Sequence, residues 1–225
     1  MPISASGLLG QAVNDQIFVI NGNTLFMYDI ATDTWSRKPD PPYYLFSPAS
    51  TVVDNKIILI GNIITQTSPR VKYAVKATIY NAETDMWSEG DLASDFETSN
   101  AAAGATTGIY APQNVYVFSG GTSTTLRYEP TTDTWSAVAP MTSTRLSFGV
   151  ANIDDVLYVI GGLDSELETL STNEQYIPIG YNTTPSHKPY LIYIIATATA
   201  LVVLTVVIIC VILLSIKKKR RQMKN

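Results

Sequence analysis

The chain has 225 residues, 46% hydrophobic and only 15% charged, a balance that supports a sizeable buried core and excludes a disordered polymer. All 19 acidic residues precede position 190, whereas six of the 15 basic residues follow position 216, so an acidic body carries a basic tail and a nucleic-acid-binding domain is excluded. Cys210 and His187 are the only cysteine and histidine, which removes disulfide frameworks, cysteine metal sites, a Ser-His-Asp triad and multi-histidine copper sites, and no cofactor is expected.

In chain order, Met1 to Gly10 carry neither a basic n-region nor an apolar h-region, so no signal peptide is read there. A unit of about fifty residues then repeats. Each copy contains a short apolar tetrad running into glycine: Ile17 to Ile20 before Gly22, Ile57 to Ile60 before Gly61, Val115 to Phe118 before Gly120-Gly121, and Leu157 to Ile160 before Gly161-Gly162. Such β-branched runs predict buried strands. Polar turns precede three of them (Asn14-Asp15, Asp54-Asn55, Asp154-Asp155), and a small, apolar-rich stretch such as Phe148 to Ile153 precedes the turn. After the glycines come Tyr28, Tyr80, Tyr128 and Tyr176, and seven residues beyond the first three stand Trp35, Trp87 and Trp135. Thr183 takes the fourth tryptophan position, so the fourth unit stops midway. Each repeat therefore predicts four antiparallel strands, A to D, the arithmetic of a propeller blade, with the last blade lacking its D strand.

The tetrad, glycines, tyrosine and tryptophan together resemble the kelch repeat, over about Gly10 to Gly180. The resemblance implies an all-β fold of about four kelch-type blades, with the glycines, tyrosines and tryptophans as structural residues rather than a ligand site. It also implies a binding or adhesion module rather than an enzyme: the copper-radical chemistry of propeller oxidases lacks its cysteine and histidines here. The polar pairs Asp154-Asp155 and Asp164-Ser165-Glu166 read as solvated turns.

In such a blade the B–C and D–A connections share one face. They are the long, irregular ones: Asn62 to Lys72, Thr122 to Thr125 and Leu163 to Ser171, with Ser36 to Leu45, Glu89 to Asn100 and Ala137 to Arg145. Loops on a rigid scaffold carry binding residues, so Arg37, Tyr43, Tyr44, Arg70 and Arg145 are the candidates for contact with a protein partner.

Residues 1–180 thus form the propeller segment and 181–189 a juxtamembrane linker. Residues 190–216 are 27 positions without a charge, long enough for a transmembrane α-helix, and 217–225 are a basic cytoplasmic tail. Lys217, Lys218, Lys219, Arg220 and Arg221 mark the cytoplasmic side and are expected to meet anionic lipid. Asn182-Thr183-Thr184 is a glycosylation sequon before the run. The expectation is a single-pass plasma-membrane protein with its propeller outside. A tail-anchored, cytosol-facing scaffold is the alternative, because a span so near the C-terminus suits insertion after translation. With fewer than four complete blades leaving open sheet edges, the chain is expected to be a piece of a longer protein or one partner in a larger ring.

Overall fold

The computed structural model describes residues 7–66, 72–93, 96, 98 and 100–184. Arg70, residues 185–189 of the linker, the 190–216 run and the 217–225 tail lie outside these residues. Among the described residues no helix is long and apolar enough to cross a membrane.

Four antiparallel sheets follow one another along the chain. The first contains β1 (Leu9–Val13), β2 (Gln16–Asn21), β3 (Thr24–Asp29) and β4 (Thr34–Lys38); the second β5 (Phe46–Val53), β6 (Lys56–Gln66), β7 (Lys72–Asn81) and β8 (Met86–Ala93). The third contains β9 (Ala102–Ala105), β10 (Val115–Phe118), β11 (Thr125–Glu129) and β12 (Thr134–Val138); the fourth, three-stranded, contains β13 (Gly149–Ile153), β14 (Val156–Ile160) and β15 (Asn173–Tyr176). The apolar tetrads are the second strands and the tyrosines lie on the third, as expected. The tight A–B hairpins follow from their residues: Asp54-Asn55 and Asp154-Asp155 all hold positive φ, 45° to 61°, which asparagine and aspartate tolerate and which suits a two-residue turn between twisted strands.

The first strands pack side by side, β1 on β5, β5 on β9 and β9 on β13, so the sheets fan outward as propeller blades. Period-two alternation gives each sheet two apolar faces, and the core lies between blades. Phe18, Ile20 and Leu25 of the first blade meet Ile57, Leu59 and Tyr80 of the second. Ile58, Ile60 and Val75 meet Val117, Leu126 and Tyr128. Tyr116 and Phe118 meet Leu157, Val159 and Tyr176.

The repeated tyrosine, aspartate and tryptophan lock this stacking. Tyr28, Tyr80 and Tyr128 stand opposite Trp35, Trp87 and Trp135 across the C–D strand pair, with ring centroids 5.1, 5.0 and 4.8 Å apart. Each phenol donates to the aspartate five residues on: Tyr28 to Asp33, Tyr80 to Asp85 and Tyr128 to Asp133. Burial, then the aspartate bond, pushes the Tyr80 and Tyr128 hydroxyls well above the ordinary phenol range. The tryptophans reach back to the preceding blade: Trp87 Nε1 donates to the Pro39 carbonyl at 2.7 Å and Trp135 Nε1 to the Asp91 carbonyl at 2.9 Å. The aspartates do the same, Asp85 accepting from Lys38 Nζ at 2.9 Å and Asp133 from the Asp91 amide at 2.8 Å.

Three expectations are corrected. Within the expected Asn62 to Lys72 loop, Asn62 to Gln66 and Lys72 are strand, because β6 and β7 stay paired as far as Gln66 and Lys72. The first residues of the expected D–A loops, Ser36, Glu89 and Ala137, belong to β4, β8 and β12. Asp155 is not a solvated turn residue: it is 1% exposed and accepts amide hydrogens from Thr107, Ile109, Tyr110 and Ala111, fastening the third blade's A–B loop to the fourth blade. The fourth tyrosine also differs. Position 181 is tyrosine rather than aspartate, and Tyr176 packs against Tyr116 and Phe118, its hydroxyl pushed up to about 12 chiefly by burial.

Two outcomes are expected. Asp133→Ala leaves the buried Tyr128 hydroxyl and the Asp91 amide without their acceptor and is expected to cost about 1–3 kcal/mol in urea unfolding, with Thr131→Ala in the adjoining turn nearly neutral. Burial pushes the Asp155 carboxyl up, but the bonds from Thr107, Ala111 and Tyr110 outweigh it and hold the group below its ordinary value. Its stabilising contribution is therefore complete above the unfolded value of about 3.9 and is lost as pH falls through the folded one. Unfolding free energies measured between pH 6 and roughly pH 2 are expected to fall less steeply with acid for Asp155→Asn than for the wild type.

Candidate functional site

The loop face is built by interleaving. The third D–A connection packs against the B–C ends of the third and fourth blades: the Gly121 amide donates to Arg145 O, the Met141 amide to Ser123 O, and Leu146 and Leu163 exchange amide bonds at 2.8 Å. Close approach explains a glycine here, since a Cβ at Gly162 would lie 2.6 Å from Leu146 O. Asn62, 8% exposed, donates to Thr98 O and accepts from its amide, tying two of the expected loops together.

The expected contact residues separate on this face. Arg37, on β4, is exposed and pairs with Asp40 at 2.7 Å. Tyr44 is 58% exposed. Tyr43 is exposed but engaged: its hydroxyl donates to Glu89 Oε2 at 2.9 Å and its ring lies 5.7 Å beneath Lys76 Nζ. Lys76 in turn pairs with Glu89 at 3.1 Å, and these bonds, Lys76 first and Tyr43 second, hold the Glu89 carboxyl below its usual range. Arg70 lies outside the described residues.

Arg145 is the departure. Only 1% exposed, it donates to Gly161 O at 3.1 Å and Ser143 Oγ at 2.9 Å and pairs with Glu174 Oε2 at 3.3 Å. It is a bolt between the third D–A connection and the fourth blade, not an exposed contact. The structural homologue in the first connection is Leu45, one hundred positions earlier and also buried. Residue type alone pointed to surface; the matching loop spacing carried the opposite signal.

Sequence reasoning also missed three residues. Phe46, Ile64 and Tyr73 are 39%, 43% and 36% exposed, and Tyr44, Phe46 and Tyr73 form a continuous ladder. The Tyr44 and Phe46 ring centroids are 5.1 Å apart at 76°, those of Phe46 and Tyr73 6.1 Å apart at 79°. Their signal was the alternation in β6 and β7 beyond Gly61, hidden by reading that glycine as the strand end. The positive φ of Ser47, 46°, is no functional strain, because Asn100 and Ser147 repeat it before β9 and β13.

On the opposite face lie the short turns, where the Ile30 amide bonds to Asp15 O and the Ala82 amide to Asn55 O. The chain after β15 stays on that side: the Asn182 amide donates to Tyr110 O at 2.7 Å and the Tyr181 ring stacks on Tyr110. No fourth D strand is formed by residues 177–184. Asn182 is exposed, and its side-chain oxygen accepts from the Thr184 amide at 3.0 Å. Among the described residues no group of three or more histidine, cysteine, aspartate or glutamate side chains is placed to hold a metal ion.

The Kelch motif matches residues 144–180, the span from the end of the third D–A connection through β15. The chain is 26% identical over 172 residues to Kelch-like protein terF of Aspergillus terreus, covering 67% of this chain and 37% of that protein. It is 25% identical over 159 residues to Kelch-like protein 38 of Rattus norvegicus, covering 67% and 25%, and 48% identical over 40 residues to Kelch-like protein 1 of Mus musculus, covering 18% and 5%. The chain therefore spans well under half the length of these curated relatives. The solved structure of YjhT superposes with a TM-score of 0.59 at 15% identity, covering 82% of this chain and 68% of that one, a likeness of fold. The Kelch motif, the Kelch-like relatives and the four stacked sheets together support a kelch-repeat β-propeller family for this chain.

Proposed function

We propose that this chain is a non-enzymatic protein-binding module, held at the membrane by residues 190–216 and displaying its propeller outside the cell. The observation that carries the binding role is the contrast between the two faces. Apart from the third blade's A–B connection, residues 106–114, the turn face is short and repetitive, whereas the loop face presents Arg37 and Tyr44, 60% and 58% exposed, on a scaffold fastened by buried inter-blade bonds. Exposed aromatic and arginine side chains on rigid support are the residue types that dominate protein interfaces. Arg145 is left out of this surface by its burial.

The membrane role rests on the uncharged 27-residue run and on Lys217, Lys218, Lys219, Arg220 and Arg221 after it, which also supply contact with anionic lipid. Exposure of Asn182 supports glycosylation there. The alternative, a tail-anchored scaffold facing the cytosol, puts the same propeller on the other side.

Expression in cells with sealed-vesicle protease digestion separates the two readings. The expected result is a propeller protected until detergent is added, a digested tail, and a glycan lost in Asn182→Gln. A propeller digested from the cytosolic side, with no glycan, overturns display outside the cell and supports the alternative.

A further inference from the structure

The turn after each third strand is polar in every blade but the last. In the first three blades the residue after the tyrosine is Asp29, Asn81 or Glu129, and the fifth is Asp33, Asp85 or Asp133. At the matching places of the fourth blade stand Ile177 and Tyr181, and Ile179 takes the place of Ala31, Glu83 and Thr131. Ile177 and Ile179 are each 60% exposed. The A–B connection beside them departs as well. Where the other blades turn on two residues, the third uses residues 106–114, none of them charged, with Ile109 and Tyr110 partly exposed.

These departures form one surface. The Tyr181 ring stacks on Tyr110 at 6.3 Å, the Asn182 amide donates to Tyr110 O and the Tyr181 amide to Pro178 O, so residues 177–182 fold against the long connection. Asp155, accepting from the Thr107, Ile109, Tyr110 and Ala111 amides, fixes that connection in turn to the fourth blade's A–B hairpin, where Ile153 is also 60% exposed. Asp154, on the same hairpin, keeps its exposed charge. The turn face is thereby divided, with acids after the third strand in the first three blades and isoleucine and tyrosine where the chain leaves the fourth. Packing against a following blade does not account for the change, since Asp29 and Asn81 hold the place of Ile177 in blades that have such a neighbour.

Chain length sets what this surface can reach. Between Thr184 and Tyr190, the first residue of the uncharged run, stand only Pro185 to Pro189, which span at most about 20 Å. With the run inserted, the surface around Tyr181 is therefore tethered close to the lipid headgroups. Tyrosine, an apolar ring with a polar tip, is the residue type that gathers at the membrane–water interface, and exposed isoleucine beside it adds apolar area. The acids of the first three blades oppose anionic headgroups, so a zwitterionic surface is the one that fits. We infer that Tyr110, Ile177, Ile179 and Tyr181 form a second membrane contact, seated in the headgroup region of a zwitterionic bilayer, an inference that rests on the reading of residues 190–216 as a span. The span anchors and this contact orients, turning the loop face away from the lipid. A glycan on Asn182, being hydrophilic, stays in the headgroup water at the rim.

The test uses the full chain in phosphatidylcholine vesicles, with Cys210→Ala removing the native thiol and a fluorophore on single cysteines. Ile179→Cys reports the contact, Ala31→Cys the matching turn of the first blade, and Tyr193→Cys the run. Nitroxide-labelled lipid is expected to quench the labels at 193 and 179 and to leave the one at 31 bright. Restoring the acids of the other blades with Ile177→Asp and Tyr181→Asp is expected to reduce quenching at 179 by roughly two-fold or more, with quenching at 193 unchanged. Unfolding midpoints check that the variant stays native; if the pair unfolds the blade, Ile177→Asp alone, at an exposed site, carries the same test. Quenching at 193 without quenching at 179, or quenching at 179 indifferent to the aspartates, overturns the inference and leaves the span in place. No quenching at either position overturns both. A label at 179 shielded from water but not quenched by lipid, and uncovered when the protein is diluted in the vesicles, overturns it in favour of contact with a second copy.

Discussion

Every contact on the loop face depends on how one blade is fastened to the next, and the fastening is a short hydrogen-bonded unit repeated along the chain. A tryptophan indole N–H and an aspartate carboxylate, held on the same C–D hairpin by a tyrosine, reach back to the end of the preceding D strand. Trp87 and Asp85 hold Pro39 and Lys38; Trp135 and Asp133 hold Asp91. The aspartate accepts from its own blade's phenol and from the neighbouring blade at once, so the cross-strand ring pair and the inter-blade contact form together. Gly90 marks how close the approach is, since a Cβ there would lie 2.5 Å from the Tyr128 hydroxyl. Loops springing from strands fixed in this way inherit their positions, and this allows irregular connections to present a defined surface.

The fold was largely legible because it is written in local, repeated chemistry. Ile17 to Ile20 and its three counterparts are apolar runs too short for helices and too β-branched for loops, and the fixed seven-residue spacing of tyrosine and tryptophan is the spacing of a tight hairpin between adjacent strands. What was not legible is long-range. Asp155 reads as one more turn aspartate; its burial depends on four amides more than forty positions away closing over it. In low dielectric a carboxylate is tolerated only with such donors, and no property of residues 152–156 announces them.

Arg145 and Leu45 show the same limit from the other side. They occupy equivalent places in two D–A connections, both buried, one apolar and one charged. Leucine needs only apolar neighbours. Arginine needs acceptors, and the fourth blade supplies Gly161 O, Ser143 Oγ from its own loop, and Glu174. The connection preceding the fourth blade is thus pinned by polar bonds where the earlier one is pinned by packing.

The second blade departs from its neighbours in the opposite sense, by excess. Extension of a sheet past its neighbours costs little in backbone terms, because β6 and β7 satisfy each other's amides as they lengthen. It does carry the blade's inter-sheet face, chosen for packing, out to where no adjacent blade covers it. Of the residues so exposed, Tyr44, Phe46 and Tyr73 cover one another edge to face, which reduces but does not remove their contact with water. The aromatic surface is therefore a direct consequence of unequal strand length in an otherwise regular repeat: the same alternation that builds the core between blades also builds, one hairpin turn further out, the part of the surface best suited to bury something else.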